Sequence, residues 1–309
     1  MTRFAPEQWA LILGGSSGFG LATAKKLAAE GMSVGIVHRD RRGAMDRVNR
    51  EFDEIRAHGH GFFGLNLDAL SPEGMATVVD ALATHLGAAG RVRVLLHSIA
   101  YGNLKPVVTG PRADRAPALA RLAKALGIPA ADVDRAADAL AESGDPVFQS
   151  LRPVDYGQAV LEDEDMARTI YSMGTSMLTW VQRLHAAGLF AADARVVGLT
   201  SEGNAVAWRG YAAVAAAKSV LESVSRAIAV EFAPYGIRSN IVQPGVTDTP
   251  ALRVIPGSVH MKAGAQIRNP FGRLTTPEDV ANVVYLLSLD EAGWINGALI
   301  RADGGEHIA

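Results

Sequence analysis

A glycine-rich turn between a short apolar run and a helical pattern limits the fold of this chain more than any other feature. Residues 9–13 form an apolar run typical of a buried parallel strand, and residues 14–20 read Gly-Gly-Ser-Ser-Gly-Phe-Gly. Leucine and alanine then recur at helical spacing from Leu21 to Ala28. A strand, a glycine turn and a helix in this order let the backbone approach a pyrophosphate at the helix N-terminus. The turn therefore predicts dinucleotide binding by Gly14, Ser16, Ser17, Gly18, Phe19 and Gly20.

The rest of the chain repeats the alternation of strand and helix. Further strands are expected over residues 32–37, 61–67, 92–98, 194–199, 237–242 and 298–301. Helices are expected over residues 44–57, 72–86, 165–187 and 208–232, and from the N-cap Thr276 to about residue 289. This order predicts the α/β class, a doubly wound parallel sheet of the Rossmann type. We expect a single dinucleotide-binding domain over residues 1–309, because no repeat or low-complexity linker divides the chain.

The pattern is interrupted after the fourth strand. Residues 111–126 and 129–143 are alanine-rich and helical in spacing, and an irregular segment with Phe148, Pro153 and Tyr156 follows. Residues 107–160 are therefore expected to form a helical insertion beside the presumed site. A lid, a subunit contact and a surface decoration are all compatible with this pattern.

Composition excludes several classes of function. The formal net charge of -2 gives no electrostatic reason to expect nucleic acid or an anionic membrane as partner. The chain has no apolar run of membrane-spanning length, and its first residues do not form a signal peptide, so we expect a cytoplasmic protein. Cysteine is absent and the histidines are scattered, so no metal site is expected.

The tip of the second strand bears on the choice of cofactor. His38 and Arg39 stand there, with Arg41 and Arg42 behind them. A guanidinium suits a ribose 2′-phosphate, so the sequence favours NADPH over NADH. The alternative is that these arginines are solvated and that Asp40 binds the ribose.

Other segments at the carboxyl ends of the strands should complete the cofactor site, since ligands bind at that edge of open α/β sheets. Asn66 is expected to bond the adenine edge. A loop over residues 250–270 is expected to be mobile and to contact substrate. The remaining candidates for cofactor contact are Leu67, Ser98, Ile99, Ala100, Thr200, Pro244, Gly245, Val246 and Thr247.

Tyr211 and Lys218 lie in the alanine-rich run predicted to be a helix. Seven residues are about two helical turns, so both side chains should emerge on one face, about 10 Å apart along the axis. A phenol and an ammonium on a face of small residues favour chemistry over plain packing. We take Tyr211 and Lys218 as candidate catalytic residues.

Taken together, these residues resemble the short-chain dehydrogenase/reductase family. The matching parts are Gly14-x-x-x-Gly18-x-Gly20, Ser201, the tyrosine–lysine helix, Pro244-Gly245 and Asp303-Gly304-Gly305. The resemblance spans nearly the whole chain, except for about residues 107–160. It implies a catalytic role for Ser201, at the end of the fifth strand, binding of Lys218 to the nicotinamide ribose, and a homotetramer.

The tyrosine spacing departs from the pattern of most family members, which place tyrosine four positions before lysine. Here that position is Val214, and Met173 stands near the place of the usual helix asparagine. The wider spacing and the segment from His97 to Ala100 resemble the enoyl-acyl-carrier-protein reductase branch, in its NADPH-dependent form that retains the glycine motif.

Three functions are compatible with these residues. The first is NADPH-dependent reduction of the C=C bond of an α,β-unsaturated acyl thioester, as in fatty acid biosynthesis, with a substrate that acyl carrier protein could carry. The second is reduction of a ketone or aldehyde, with Ser201 and Tyr211 as donors. The third is a dinucleotide-binding protein without catalysis, suggested by Val214 and Met173 in the usual catalytic positions.

Overall fold

Seven parallel strands form one sheet, in a computed structural model that describes residues 3–110, 116–142, 145 and 154–309. The strand order is β3-β2-β1-β4-β5-β6-β7. The predicted doubly wound parallel sheet is therefore confirmed. The strands are β1 Gln8–Leu13, β2 Ser33–His38, β3 Phe62–Asn66, β4 Arg91–His97, β5 Phe190–Leu199, β6 Ile237–Pro244 and β7 Leu299–Ala302.

The strand order reverses between β1 and β4, and this reversal positions the site. Leu13 at the end of β1 is in register with Val37 of β2 on one side and with His97 of β4 on the other. From β1 the chain continues to β2 on one side, and from β4 it continues to β5 on the other side. A crevice therefore opens between β1 and β4 at the carboxyl edge of the sheet.

Helices cover both faces of the sheet, which is why the central strands are almost continuously apolar. On one face, α1 (Gly18–Ala29), α2 (Met45–Arg56) and α11 (Pro277–Ser288) bury Leu27, Phe52 and Val284. On the other face, α3 (Pro72–Leu86), α7 (Ser176–Ala186) and α8 (Ala212–Glu231) bury Leu82, Trp180 and Leu221. The predicted N-cap of α11 is confirmed, because the Thr276 side chain accepts a hydrogen bond from the Asp279 N–H.

The predicted helix over residues 208–232 starts later than expected. Gly210 has φ +76°, and Tyr211 has φ -113° and ψ 2°, so neither residue is helical. The Tyr211 carbonyl accepts the first helical bond from the Ala215 N–H, at 2.9 Å. Tyr211 is therefore the N-cap of α8, and its position is set by a turn as well as by the helix.

The predicted helix over residues 165–187 is two helices joined by a π turn. Its parts are α6 (Asp163–Ile170), the π turn Tyr171–Thr175 and α7. The Ser176 hydroxyl donates to the Ser172 carbonyl, and such side-chain bonds compete with the regular ladder. The turn brings Gly174 so close to α8 that a Cβ there would lie 2.9 Å from the Ala217 carbonyl oxygen.

Residues 250–270 were predicted to be a loop, and this prediction is wrong. They contain α9 (Pro250–Arg253) and α10 (Ser258–Arg268). Thr249 caps α9 by accepting a hydrogen bond from the Leu252 N–H at 3.2 Å. Short helices of this kind give a weak periodic pattern, because only part of each helix faces the core.

The insertion after β4 contains the two helices that its pattern predicts, α4 (Ala116–Leu126) and α5 (Ala130–Glu142). They pack on each other through Leu119, Ala123 and Val133. The predicted start of the first helix at 111, Phe148 and Pro153 lie outside the described residues. Among the helices that the structure describes, none is both long enough and apolar enough to cross a membrane.

The first turn of α1 approaches β1 so closely that only glycine fits. A Cβ on Gly20 would overlap the Gly14 carbonyl, whereas a Cβ on Gly43 would meet nothing within 4 Å. We expect Gly20→Ala to lower the free energy of unfolding by about 1–3 kcal/mol through overpacking. Gly43→Ala should change it by less than about 1 kcal/mol. Urea denaturation of both variants measures this, and equal losses would contradict the close approach.

Candidate active site

A cavity of about 560 Å³ occupies the carboxyl edge of the sheet. The segments that follow β1, β2, β4, β5 and β6 contribute to its wall, together with the start of α8. Of the predicted cofactor and catalytic residues, only Gly20 and Asn66 do not line it. The strand-end candidates that do are Leu67, Ser98, Ile99, Ala100, Thr200, Pro244, Gly245, Val246 and Thr247.

The glycine turn presents backbone N–H groups to one end of this cavity. Gly14 and Gly18 have positive φ angles of 86° and 54°, which side chains rarely tolerate. Ser17 caps α1 without a side-chain hydrogen bond, so the first N–H groups of α1 have no capping acceptor. An anion placed there would also meet the positive end of the helix dipole. The turn is therefore suited to a pyrophosphate, while Gly20 acts behind it by permitting close packing.

Asn66 was predicted to bond an adenine, and the structure places its amide elsewhere. Its Oδ1 accepts from the Asp40 N–H, and its Nδ2 donates to the Asp40 carbonyl, both at 3.0 Å. The amide thus holds the loop after β2 in place. The backbone of that loop provides both a donor and an acceptor within reach, which the sequence does not reveal.

Charged groups of both signs line the cavity at the tip of β2. Arg39 donates to Asp68 at 3.1 Å and lies over the Tyr101 ring, 4.5 Å from its centroid. The Asp40 carboxylate lies 2.9 Å from the Nδ1 of the buried His38 ring, within hydrogen-bond distance, and 3.8 Å from the Arg47 guanidinium. A ribose 2′-phosphate would favour Arg39, whereas a 2′-hydroxyl would favour the Asp40 carboxylate.

Ser201 and Tyr211 meet at the opposite end of the cavity. The Ser201 Oγ and the Tyr211 hydroxyl are 3.3 Å apart, and the Tyr211 ring lies against Gly203. Burial raises the pKa of the Tyr211 phenol, although the Ser201 hydrogen bond opposes this. The phenol is therefore protonated at neutral pH, so it can donate a hydrogen bond or a proton to an oxygen between the two hydroxyls.

Lys218 lies in the same wall and is almost fully buried. Its Nζ donates to the Leu199 carbonyl at the end of β5, at 2.8 Å. Burial lowers the pKa of the ammonium to about 8, and Glu222 acts in the opposite direction. Glu222 is itself bonded by Thr200 and Asn204, both at 2.5 Å. Lys218 is therefore mainly a cation at neutral pH, with a pKa only about one unit above that pH.

The position four before Lys218 carries no donor. Val214 is buried, lines the cavity and packs with Met173 and Tyr211. Met173 reaches this place from the π turn between α6 and α7. The floor beside the two hydroxyls is thus apolar and excludes water from the reacting end.

His97 lies behind this floor and does not line the cavity. Its Nε2 is 2.8 Å from the Ser176 Oγ, and the Ser176 hydroxyl donates to the Ser172 carbonyl. Burial, and then the charge of Lys218, lower the pKa of His97 to about 3. The imidazole is therefore neutral and ties β4 to the π turn instead of taking part in chemistry.

A polar group in the cavity wall was not predicted from the sequence. Arg268 bonds Glu202 and Glu306, each at 3.2 Å, and His307 follows next to Glu306. Burial raises the pKa of the Glu306 carboxyl, which also accepts the Val246 N–H at 3.0 Å. This group forms because residues 303–309, at the end of the chain, fold against the cavity wall. No local sequence pattern predicts that contact. Glu222, four residues after Lys218, was detectable from helical spacing.

Within the described ranges, no cluster of three or more histidine, aspartate or glutamate side chains could hold a metal ion. Arg39 and Lys218, which line the cavity, have a carboxylate and a carbonyl partner, and Arg268 behind the wall is paired with Glu202. The geometry therefore offers dinucleotide binding at the glycine turn and a proton donor pair at the far end.

Comparisons with known proteins agree with this geometry. A family model described as short chain dehydrogenase matches residues 8–113. A second, described as enoyl-(acyl carrier protein) reductase, matches residues 154–307. The two matches leave out mainly the helical insertion.

Similar proteins differ in the reactions that their names give. The chain is 26% identical to cis-4-hydroxycyclohexanecarboxylate dehydrogenase of Sinomonas cyclohexanicum, over 97% of this chain and 96% of that protein. It is 27% identical to 1-cyclohexenylcarbonyl-CoA reductase of Streptomyces collinus, over 98% of this chain and 88% of that protein. A short chain dehydrogenase from Burkholderia cenocepacia J2315, solved in complex with NADP, has the same fold. It aligns with a TM-score of 0.71 and 23% identity, over 99% and 100% of the two chains.

The lowered pKa of Lys218 predicts a pH dependence of cofactor binding. The ammonium is charged below pH 8 and becomes neutral as the pH rises through that value. We expect the NADPH dissociation constant to rise several-fold between about pH 6.5 and about pH 9.5, because the cation next to the bound nucleotide is lost. Fluorescence titration measures the constant.

The matched variant is Lys218→Met, which removes the titrating group. It should bind NADPH more weakly and show no change of affinity around pH 8. The same pH dependence in wild type and variant would mean that another group titrates.

Proposed function

This chain belongs to the short-chain dehydrogenase/reductase family, and from that membership we propose that it reduces the C=C bond of an α,β-unsaturated acyl thioester with NADPH. One observation carries the proposal. The hydroxyl donor is Tyr211, seven positions before Lys218, while the usual donor position is the buried, apolar Val214.

The spacing fits conjugate reduction for a geometric reason. In a ketone the oxygen that needs a proton is bonded to the carbon that accepts hydride. In an enoyl thioester, hydride adds at Cβ and charge develops on an oxygen two carbons further away. Three residues correspond to about 4.5 Å along a helix, which is a shift of that order.

The residues of this chain have separate tasks in such a reduction. A nicotinamide cofactor, when bound, supplies the hydride. Tyr211 donates its proton to the thioester oxygen, and Ser201, 3.3 Å from the phenol, can donate a hydrogen bond to the same oxygen. The enol that forms then tautomerises, which places a proton on Cα, and the Tyr211 phenolate regains a proton from solvent. Lys218 provides a positive charge that favours the enolate. Val214 and Met173 exclude water from the alkene.

A second candidate function is reduction of a ketone or aldehyde. The observation that favours it is the Ser201–Tyr211 contact, because two hydroxyls that converge on one point can bind a carbonyl oxygen directly. The name of one relative, a dehydrogenase of a hydroxy acid, supports this second candidate, and the name of another, a reductase of a cyclohexenylcarbonyl thioester, supports the first.

The two candidates differ in the substrates that should oxidise NADPH. We expect turnover of crotonyl-coenzyme A, with kcat/KM at least about tenfold above that for acetoacetyl-coenzyme A or cyclohexanone. Tyr211→Phe should lower kcat about 10²–10⁴-fold, because it removes the proton donor, and should leave NADPH affinity unchanged. Absorbance of NADPH follows all of these reactions.

Tyr235→Phe is the control for this substitution, since Tyr235 is exposed and lies outside the cavity. Turnover of the ketones without the crotonyl thioester would favour the second candidate and overturn the first. NADPH binding without turnover of any of these substrates would argue against both. Full activity of Tyr211→Phe would show that the phenol takes no part.

We propose NADPH as the cofactor because Arg39 lines the cavity at the tip of β2. Its guanidinium is held by Asp68 and by the Tyr101 ring, so a 2′-phosphate would meet an ordered cation. The opposing feature is Asp40, whose carboxylate would repel a phosphate. The Arg47 guanidinium, 3.8 Å from the Asp40 carboxylate, weakens that repulsion.

Arg39→Ala tests this choice. We expect KM for NADPH to rise about tenfold or more, because a charge-assisted hydrogen bond is worth roughly 1.5–3 kcal/mol, while KM for NADH stays nearly constant. Arg50→Ala is the control, because Arg50 is exposed on α2 and does not line the cavity. Steady-state kinetics with both cofactors provide the measurement, and equal effects on the two would end the 2′-phosphate argument.

A further inference from the structure

A second cavity, of about 330 Å³, adjoins the candidate active site. It lies between the segment that precedes α8 and the helix α10, Ser258–Arg268. Trp208, Ile255 and Met261 border both cavities. A molecule that passes over these three side chains can therefore occupy both spaces, and neither the proposed reduction nor the cofactor uses the second one.

The wall of the second cavity carries positive charge. Arg209 and Arg268 line it, and among the described residues of its wall there is no aspartate or glutamate. The charge of Arg268 is balanced from the active-site side by Glu202 and Glu306. Arg209 differs, because it has no carboxylate partner in the part of the chain that the structure describes. Its guanidinium lies over the Tyr156 ring, 5.0 Å from the centroid.

The wall also contains two buried ring nitrogens that lack hydrogen-bond partners. The Trp208 indole Nε1 and the His260 Nε2 are buried, and neither has a hydrogen-bond partner among the described residues. The α10 N-terminus contributes Gly257 and the first helical turn to the same wall. Unpartnered buried polar atoms are unfavourable and call for an explanation such as a bound group. The Trp208 Nε1–H can only donate, so the group that would satisfy it is a hydrogen-bond acceptor.

We infer that this second cavity is a subsite for an anionic oxygen group of the substrate, a phosphate or a carboxylate remote from the reacting bond. The inference rests on the proposed function in that the reacting end of the same molecule lies at Tyr211. Arg209 supplies the charge, and its stacking on Tyr156 orders the guanidinium before the ligand arrives. Trp208 separates the anionic end from the reacting end.

Two sources of such an anion exist, and paired substrates distinguish them. A phosphate would belong to the phosphopantetheine arm of a thioester, so crotonyl-pantetheine and crotonyl-phosphopantetheine form one pair. A carboxylate would belong to the acyl chain itself, so glutaconyl-pantetheine and its methyl ester form the other. Both pairs are assayed with the full chain and saturating NADPH, in wild type, Arg209→Gln, Arg209→Lys and Arg226→Gln.

We expect wild type to prefer the charged member of one pair by about tenfold or more in kcat/KM, as for a charge-assisted contact. Arg209→Gln should reduce this preference to near unity by raising KM for the charged member alone. Arg209→Lys should keep part of it. Arg226→Gln should keep all of it, since Arg226 is an exposed arginine outside both cavities. The pair that shows the preference identifies the source.

Calorimetric titration of the NADPH-loaded protein with inorganic phosphate and with succinate separates the subsite from the reaction. Turnover without preference in either pair overturns the subsite and leaves the proposed function standing. Binding of either probe that Arg209→Gln abolishes, without turnover, supports the subsite and counts against the function. A preference that persists in Arg209→Gln overturns the inference, as does the absence of both turnover and probe binding.

Discussion

The bond between the Lys218 ammonium and the Leu199 carbonyl joins the helix α8 to the end of β5, and the reacting end of the site depends on it. A buried cation is costly unless polar groups surround it, and here a strand-end carbonyl and the Glu222 carboxylate one helical turn away do so. Because Tyr211 caps the same helix, fixing Lys218 also fixes the phenol relative to Ser201 on the strand side. The three groups therefore act as one unit, and the cofactor would enter beside them.

The sheet and its crevice were predictable from the sequence because their signals are local. Apolar runs of strand length, a glycine turn and the helical spacing from Leu21 to Ala28 each depend on neighbouring residues alone. The order of these elements then restricts the topology to a doubly wound sheet. The carboxyl ends of the strands meet at one edge, so residues as distant in sequence as Ser98 and Thr247 were correctly assigned to one cavity.

The errors arose where contacts between distant segments decide the structure. Asn66 has the composition of a ligand-binding residue, yet its amide is used by the backbone at Asp40, which no pattern in either segment reveals. The start of α8 depends on the positive φ of Gly210. The alanine-rich sequence that follows Tyr211 favours a helix so strongly that this start is not evident from the sequence. Glu306 reaches the cavity only because the last residues fold back onto α10, where Arg268 donates a hydrogen bond to it. Helical propensity and spacing carry no information about such returns.

The spacing between Tyr211 and Lys218 and the contact between Ser201 and Tyr211 determine different parts of the chemistry. The contact between Ser201 and Tyr211 defines where an oxygen can be bound, and it serves an enolate oxygen as well as a ketone oxygen. The spacing from Tyr211 to Lys218 instead defines how far that oxygen lies from the nicotinamide ribose that Lys218 would hold. Since Tyr211 is an N-cap and not a helical residue, this distance is not the rise of the helix alone, and the turn that ends at Tyr211 contributes to where the phenol lies. The choice between alkene and carbonyl therefore depends on the geometry of that turn, which places the phenol, and on the apolar side chain of Val214, which leaves the nearer position without a donor.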